Sequence, residues 1–349
     1  MTGPTAARRN DYYRRLDPHA MAPLWEVLGD LVTPSPASRC RPACWRYAEI
    51  RSLLLESGDL ISAREAERRV LVLENPGLRG ESRITTSLYA GLQLILPGEI
   101  APAHRHTQAA LRFVVEGEGA YTAVDGEKAV MREGDFIITP SGTWHDHGNE
   151  SDRPVVWLDG LDIPIVSLFD ASFAERHPDE AQAHSRPSGE TVARYGSGLL
   201  PLESPSGRAS PIFSFPYAKT RDALDRLGKN GTADACHGIR MKYANPVDGG
   251  YALPTIATFI QLFPRGFAGA LHRSTDATVF CVAEGEGRTV AGEETFAWGP
   301  RDTFVVPSWC PRRHEVEEEA VLFSFSDRAV QESLGLWREE REPFGGTWT

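Results

Sequence analysis

Three histidines stand at spacings able to hold a metal ion. His104 and His106 are separated by one residue, so on a β-strand both side chains point to the same face. A second block reads Gly134, five residues, Pro140-x-Gly142, two residues, His145, three residues, Asn149. Its glycines and Pro140 are turn formers and would bring His145 in from a neighbouring strand. Three neutral imidazoles converging in this way suit a divalent first-row metal. Three satisfied core histidines are the plainer alternative, but parity and spacing both agree with ligand geometry.

The same parity rule places Gln108 and Arg112 on the face of the two histidines. An arginine inside a barrel needs a partner, because an unpaired buried charge is costly. It either pairs with an internal carboxylate or awaits an anionic substrate, and the guanidinium's fit to a carboxylate favours the substrate. On the preceding strand Tyr89, Gly91 and Gln93 share one face, opposite Ala90, Leu92 and Leu94, which makes the polar face the expected pocket wall. Asp159 ends the strand begun by Val155-Val156-Trp157-Leu158, and His147 lies two residues beyond His145. Either could be a catalytic or supporting group behind the metal ligands, or merely a surface residue.

Residues 1–68 carry a helical pattern, with Leu16, Met21, Leu24, Trp25, Leu28 and Leu31 recurring every three to five positions and a second helical stretch at Tyr47 to Ser57. From Arg69 the texture changes to short β-rich runs punctuated by Asn75-Pro76-Gly77, Pro97-Gly98 and Asp125-Gly126. Such spacing argues for a β-barrel or sandwich over 69–170. Residues 171–255 read as a linker rich in Ala, Ser, Pro and Gly with one helix near Lys219–Leu227. A second β-rich block fills 256–349.

That block repeats the first. His104-Arg105-His106-Thr107 becomes His272-Arg273-Ser274-Thr275, Glu116-Gly117-Glu118-Gly119 becomes Glu284-Gly285-Glu286-Gly287, and Asp135…Pro140-Ser141 becomes Asp302…Pro307-Ser308. The matches keep one order and an offset of 167 or 168 residues, so the chain reads as two copies of one barrel. The second copy is expected to lack a metal, since Ser274 replaces a histidine and Arg312 stands where His145 would fall.

The two-part pattern Gly98, His104-x-His106, Gly117 and Gly134…Pro140-x-Gly142…His145…Asn149 resembles the cupin motif. The resemblance implies a mainly β fold of two cupin (jelly-roll) barrels with N-terminal and linker helices. Many cupins place a glutamate four residues after the second histidine as a fourth ligand; here that residue is Ala110. Three protein ligands leave positions open for a bidentate substrate and dioxygen, whereas a structural metal is more often fully enclosed.

A more specific likeness runs through Ala22-Pro23-Leu24-Trp25, Arg68 to Pro76, Gly91 to Glu99, His104 to Phe113 and Asn245-Pro246. On these stretches the chain is similar to the gentisate 1,2-dioxygenase family. The resemblance implies a homotetrameric bicupin with one Fe(II) per subunit, bound by His104, His106 and His145. It implies that Arg112 and Arg68 bind the carboxylate of a small aromatic hydroxy-carboxylate, with Gln93, His147 and Asp159 lining or supporting the pocket. The implied reaction inserts both atoms of O2 into gentisate, between the carboxyl-bearing and hydroxyl-bearing carbons, giving maleylpyruvate. Salicylate and 1-hydroxy-2-naphthoate dioxygenases share the metal set. Tyr89, in place of a larger tryptophan, points toward the gentisate enzymes.

A formal net charge of −11 disfavours nucleic acid or an anionic membrane as partner, and no stretch is long and apolar enough to span a bilayer. Five cysteines at irregular spacing fit reduced thiols, and no apolar signal core follows the N-terminus; a cytoplasmic protein is expected. Gly285-x-Gly287 precedes no helical pattern, so neither a nicotinamide nor a flavin cofactor is expected. Readings of another class are a non-oxygenase cupin that binds or senses a metabolite, and a metal-dependent isomerase.

Overall fold

The computed structural model describes residues 4–203 and 207–343. Positions 1–3 of the expected helical segment, 204–206 of the expected linker and 344–349 of the expected second barrel lie outside the described residues. The chain divides into two compact units, Met1–Ala37 and Ser38–Thr349.

The first unit holds α1 (Pro4–Leu16) and α2 (Leu24–Leu31). Pro23 occupies the N-cap of α2, where a missing N–H costs nothing. The Trp25 indole donates to the Tyr13 hydroxyl at 2.9 Å, and that hydroxyl donates to Glu26 at 2.5 Å, tying the two helices together.

The second unit opens with β1 (Ala43–Trp45), α3 (Tyr47–Leu60) and α4 (Ala63–Ala66). The first barrel follows: β2 (Val70–Val72), β3 (Tyr89–Ile95), β4 (Ile100–His106), β5 (Ala110–Glu116), β6 (Ala120–Val124), β7 (Glu127–Val130), β8 (Phe136–Thr139), β9 (His145–Asn149) and β10 (Val155–Leu161). Next come α5 (Ile163–Leu168), β11 (Ala174–Arg176), α6 (Glu190–Tyr195), β12 (Ser214–Phe215) and α7 (Tyr217–Asn230). The second barrel runs β13 (Ile239–Lys242), β14 (Ala257–Phe263), β15 (His272–Ser274), β16 (Thr278–Glu284), β17 (Gly287–Ala291), β18 (Glu294–Trp298), β19 (Thr303–Val306), β20 (Arg312–Glu315) and β21 (Ala320–Ser326). It closes with α8 (Arg328–Ser333) and β22 (Glu339–Arg341). The first barrel is a six-stranded sheet, β12-β8-β5-β10-β3-β2, facing a five-stranded one, β11-β4-β9-β6-β7; the second is β1-β19-β16-β21-β14-β13 facing β18-β17-β20-β15-β22. The fold is mainly β and made of two cupin barrels.

The halves are not beads on a string. Strand β1 precedes the first barrel but pairs with β19 of the second, Cys44 opposite Phe304; β12 precedes the second barrel but pairs with β8 of the first, Phe215 opposite Phe136. The helices that follow repeat the exchange. The Tyr47 backbone N–H donates to Asp302 and its hydroxyl to Glu116, at 2.7 and 2.8 Å. The Tyr217 N–H donates to Asp135 and its hydroxyl to Glu284, at 2.8 and 2.6 Å. Each aspartate thus satisfies an otherwise unpaired N–H in the first turn of a helix.

The two six-stranded sheets pack together through their outward faces. Phe113 stacks on Phe323 with ring centroids 4.4 Å apart and planes 6° from parallel, and Phe136 lies against both Phe323 and Tyr243. Gly160 permits the approach, for a Cβ there would stand 2.8 Å from the Phe325 ring. A single buried apolar cluster therefore draws on both barrels, from Leu54 and Phe113 to Val279 and Phe325.

The stretch 171–255, expected as a linker with one helix, is built differently. It supplies β11 and β12 to the first barrel and β13 to the second, with α7 longer than the stretch expected at Lys219–Leu227. Strands of two to four residues are too short to carry an alternating pattern, so composition alone made them read as loop.

Candidate metal centre

Strands β4 and β9 pair with His104 directly opposite His145, and His106 ends β4. The three rings converge, with centroid separations of 5.1, 4.5 and 4.8 Å, and one nitrogen from each lies within 4.8 Å of the others. Backbone carbonyls set two tautomers. The Nδ1–H of His106 donates to the Gln108 carbonyl at 2.8 Å and that of His145 to the Thr143 carbonyl at 3.1 Å. Their Nε2 atoms are left as acceptors, and that of His145 is buried with no partner. Burial holds all three rings neutral: His104 is pushed down to about 2 and His106 to about 4, with Arg68 and Arg112 adding repulsion, and His145 lies well below its ordinary value for the same reasons. Deprotonated, preoriented imidazoles are the form a divalent metal takes, so the residues fit such an ion.

Arg112 and Asp159 are direct register partners on β5 and β10. Asp159 Oδ1 lies 3.5 Å from Arg112 Nε and accepts from the Trp157 indole at 3.1 Å, while Arg112 Nη1 donates to Thr139 at 2.5 Å. The internal carboxylate is therefore present as an ion-pair partner, while the buried Arg112 Nε has no hydrogen-bond partner. Burial raises Asp159 to about 6 against the pull of Arg112 and Arg68. Arg68 is partly buried, its Nη2 3.4 Å from His104 Nε2, and desolvation together with Arg112 lowers it to about 9. The guanidiniums of Arg68 and Arg112 both repel protons from the three histidines.

Tyr89 and Gln93 lie on the inner face of β3, Gln93 opposite Trp157 and Val70. Gly91 makes the wall possible: a Cβ there would stand 2.4 Å from the Val70 side chain and 3.2 Å from the Tyr89 hydroxyl. Gln108 is placed otherwise than expected. Strand β4 ends at His106, parity does not extend through the turn, and the Gln108 amide donates outward to Ser172 at 2.8 Å. His147 is fully buried, with Nδ1 2.9 Å from the Thr122 hydroxyl. The second barrel repeats this pair as His314 and Thr289, also at 2.9 Å, in a place where no histidine triad stands.

The cupin domain pattern matches residues 91–161. Gentisate 1,2-dioxygenase 1 of Aquipseudomonas alcaligenes is 56% identical over 334 residues, covering 95% of this chain and 96% of that protein. The chain belongs to the gentisate 1,2-dioxygenase family. Among its relatives, 5-aminosalicylate 1,2-dioxygenase of a Comamonas species is 38% identical, covering 92% of this chain and 87% of that one. A solved salicylate 1,2-dioxygenase from Pseudoaminobacter salicylatoxidans, as an adduct with gentisate, superposes with a TM-score of 0.91 at 35% identity over 99% of this chain and 96% of that one.

For this member of the gentisate 1,2-dioxygenase family, sequence reading missed three features of the site. Trp157 stands two residues before Asp159 and shares its face, a signal parity offered. Thr139 meets Arg112 only through the pairing of β5 with β8. A cleft of about 270 Å³ beside His104 is lined by Arg64, Glu67, Arg176, His177 and Glu180, half of it from the stretch that composition made a linker. Arg176 binds Glu67, and Arg64 lies 3.5 Å from Glu180, so two ion pairs flank this opening.

Proposed function

We propose that this protein is a gentisate 1,2-dioxygenase, using one iron(II) ion held by His104, His106 and His145. The observation that carries the reading is the juxtaposition of three neutral histidines, two of them oriented by backbone carbonyls, with the charges of Arg68 and Arg112. An iron(II) ion there supplies the electron transfer that lets dioxygen react with an electron-rich ring. Arg112 and Arg68 take the substrate carboxylate, their charge selecting an anion and the planar fork fixing its orientation. Asp159 holds the Arg112 guanidinium through an ion pair and Thr139 through a hydrogen bond to Nη1. Tyr89 and Gln93 form the wall, and burial keeps water from the reacting face. Gentisate and O2 together contain every atom of maleylpyruvate, so no external reductant is required. His147, two residues along β9 from His145 and on the same face, is held in place by the Thr122 hydroxyl. By family likeness the protein is a cytoplasmic homotetramer; among the described residues no helix is long and apolar enough to cross a membrane.

The deciding experiment is oxygen uptake by iron(II)-loaded protein with gentisate, beside a His106→Ala control and parallel runs with salicylate and 1-hydroxy-2-naphthoate. Uptake with a ring-opened absorbing product, lost in the control, is expected. Salicylate turnover rivalling that of gentisate would move the assignment to the salicylate enzymes, and no uptake with any of the three, despite bound iron, would favour a binding module.

A further inference from the structure

The second barrel keeps the geometry of the first but inverts its chemistry. His272 faces Arg312 across β15 and β20 as His104 faces His145 across β4 and β9. Ser274 stands in place of the second ligand. The Arg112–Asp159 pairing is replaced by Phe280 opposite Ser324. A fixed guanidinium thus occupies the position where the first barrel presents a metal ligand.

This interior is buried and under-satisfied. Arg312, His272 and Ser324 are all nine-tenths or more buried. Arg312 Nη1, both ring nitrogens of His272, the Ser324 hydroxyl and Arg240 Nε have no hydrogen-bond partner. Arg240 reaches in from β13, lying 3.8 Å over the Phe259 ring beside Gln261, and Arg312 lies over Phe280. Neither arginine has an acidic oxygen within ion-pair distance among the described residues. Asp276 is the acidic group that acts most strongly on both, and it is engaged by the Trp337 indole at 2.9 Å. Glu339 is taken by Arg341 at 2.7 Å, and Arg328 by Glu332 at 2.7 Å. Two arginines against one aspartate leave one positive charge over. Buried donors gathered in one place are ordinarily partnered, and an unpaired buried charge is costly.

We propose that the second barrel binds a small monocarboxylate, with Arg312 and Arg240 as its charge partners and His272 and Ser324 as further hydrogen-bonding groups. A carboxylate matches the surplus of one charge and the planar guanidinium of Arg312. The phenyl rings of Phe259 and Phe280 flank its apolar end. The site is separate from the histidine triad and needs no metal.

The test is equilibrium dialysis of the full chain against radiolabelled acetate in chloride-free buffer. Arg312→Met and Arg240→Met are expected each to lose one acetate per chain relative to the wild type, whereas Arg112→Met, which alters only the first barrel, retains that site. Equal binding by Arg312→Met and the wild type would overturn the proposal, as would displacement of the acetate by chloride at the same concentration. Should the variants fold poorly, a crystal structure of the wild-type protein grown in acetate decides: a carboxylate within hydrogen-bond reach of Arg312 Nη1 is expected, and ordered water alone there would overturn the site.

Discussion

Asp159 stands directly opposite Arg112 in the first barrel, its Oδ1 3.5 Å from the guanidinium Nε, with both side chains almost wholly buried. Breaking a buried pair from one side leaves the other charge uncompensated, at about 3–5 kcal/mol. Asp159→Asn should therefore lower stability on that scale in urea unfolding and raise KM for gentisate, because Arg112 loses its orienting partner. An unchanged melting curve would count against the pair as a structural element.

Arg112→Lys keeps the charge but loses the planar fork. A charge-assisted hydrogen bond is worth about 1.5–3 kcal/mol, so kcat/KM for oxygen uptake should fall roughly 10- to 150-fold, with Arg112→Met lower still. Near-normal KM in both variants would assign carboxylate binding elsewhere.

Because β1 and β12 are exchanged between halves, residues 69–170 lack the strand that edges β8. Expressed alone, that segment should fail to give a cooperative thermal transition by circular dichroism, while residues 38–349 should give one. Independent folding of the short segment would make the exchange dispensable.

Asp162 accepts from Thr255 at 2.5 Å and from the Ala109 N–H, and Asp327 accepts from Ser87 at 2.6 Å and from the Ala277 N–H. Burial raises each to about 6 from an ordinary 3.8. A carboxyl that keeps its proton longer in the folded state binds more protons folded than unfolded across that window. Its contribution is therefore complete below about pH 4 and lost as pH rises to about 6. Asp162→Asn should flatten the fall in stability between pH 4 and 6, read from urea midpoints; an unaltered slope would rule this carboxyl out.

The His147–Thr122 pair recurs as His314–Thr289, which argues for a framework role. By thermal denaturation, Thr122→Val should cost about 1–3 kcal/mol from the orphaned imidazole nitrogen, and Thr289→Val more, because the Trp298 indole also loses its acceptor. A large loss of turnover in Thr122→Val without loss of stability would instead place His147 in the chemistry.

Much of the site could be read along the chain. His104 and His106 at i and i+2, the turn before His145, and Tyr89 sharing a face with Gln93 are consequences of strand parity, a local property that needs no knowledge of the partner strand. The duplication was legible for the same reason, since turn glycines and the prolines after β8 and β19 recur in one order at an offset of 167 or 168 residues. Gln108 marks where parity stops, at the end of β4. Only the tertiary structure decided that Arg112 meets Asp159 and Thr139, that β1 and β12 change barrels, and that Arg176 and His177 flank the opening beside His104. Those contacts depend on register between distant segments and on burial shared by two sheets, and strands of two or three residues carry too little pattern to announce either.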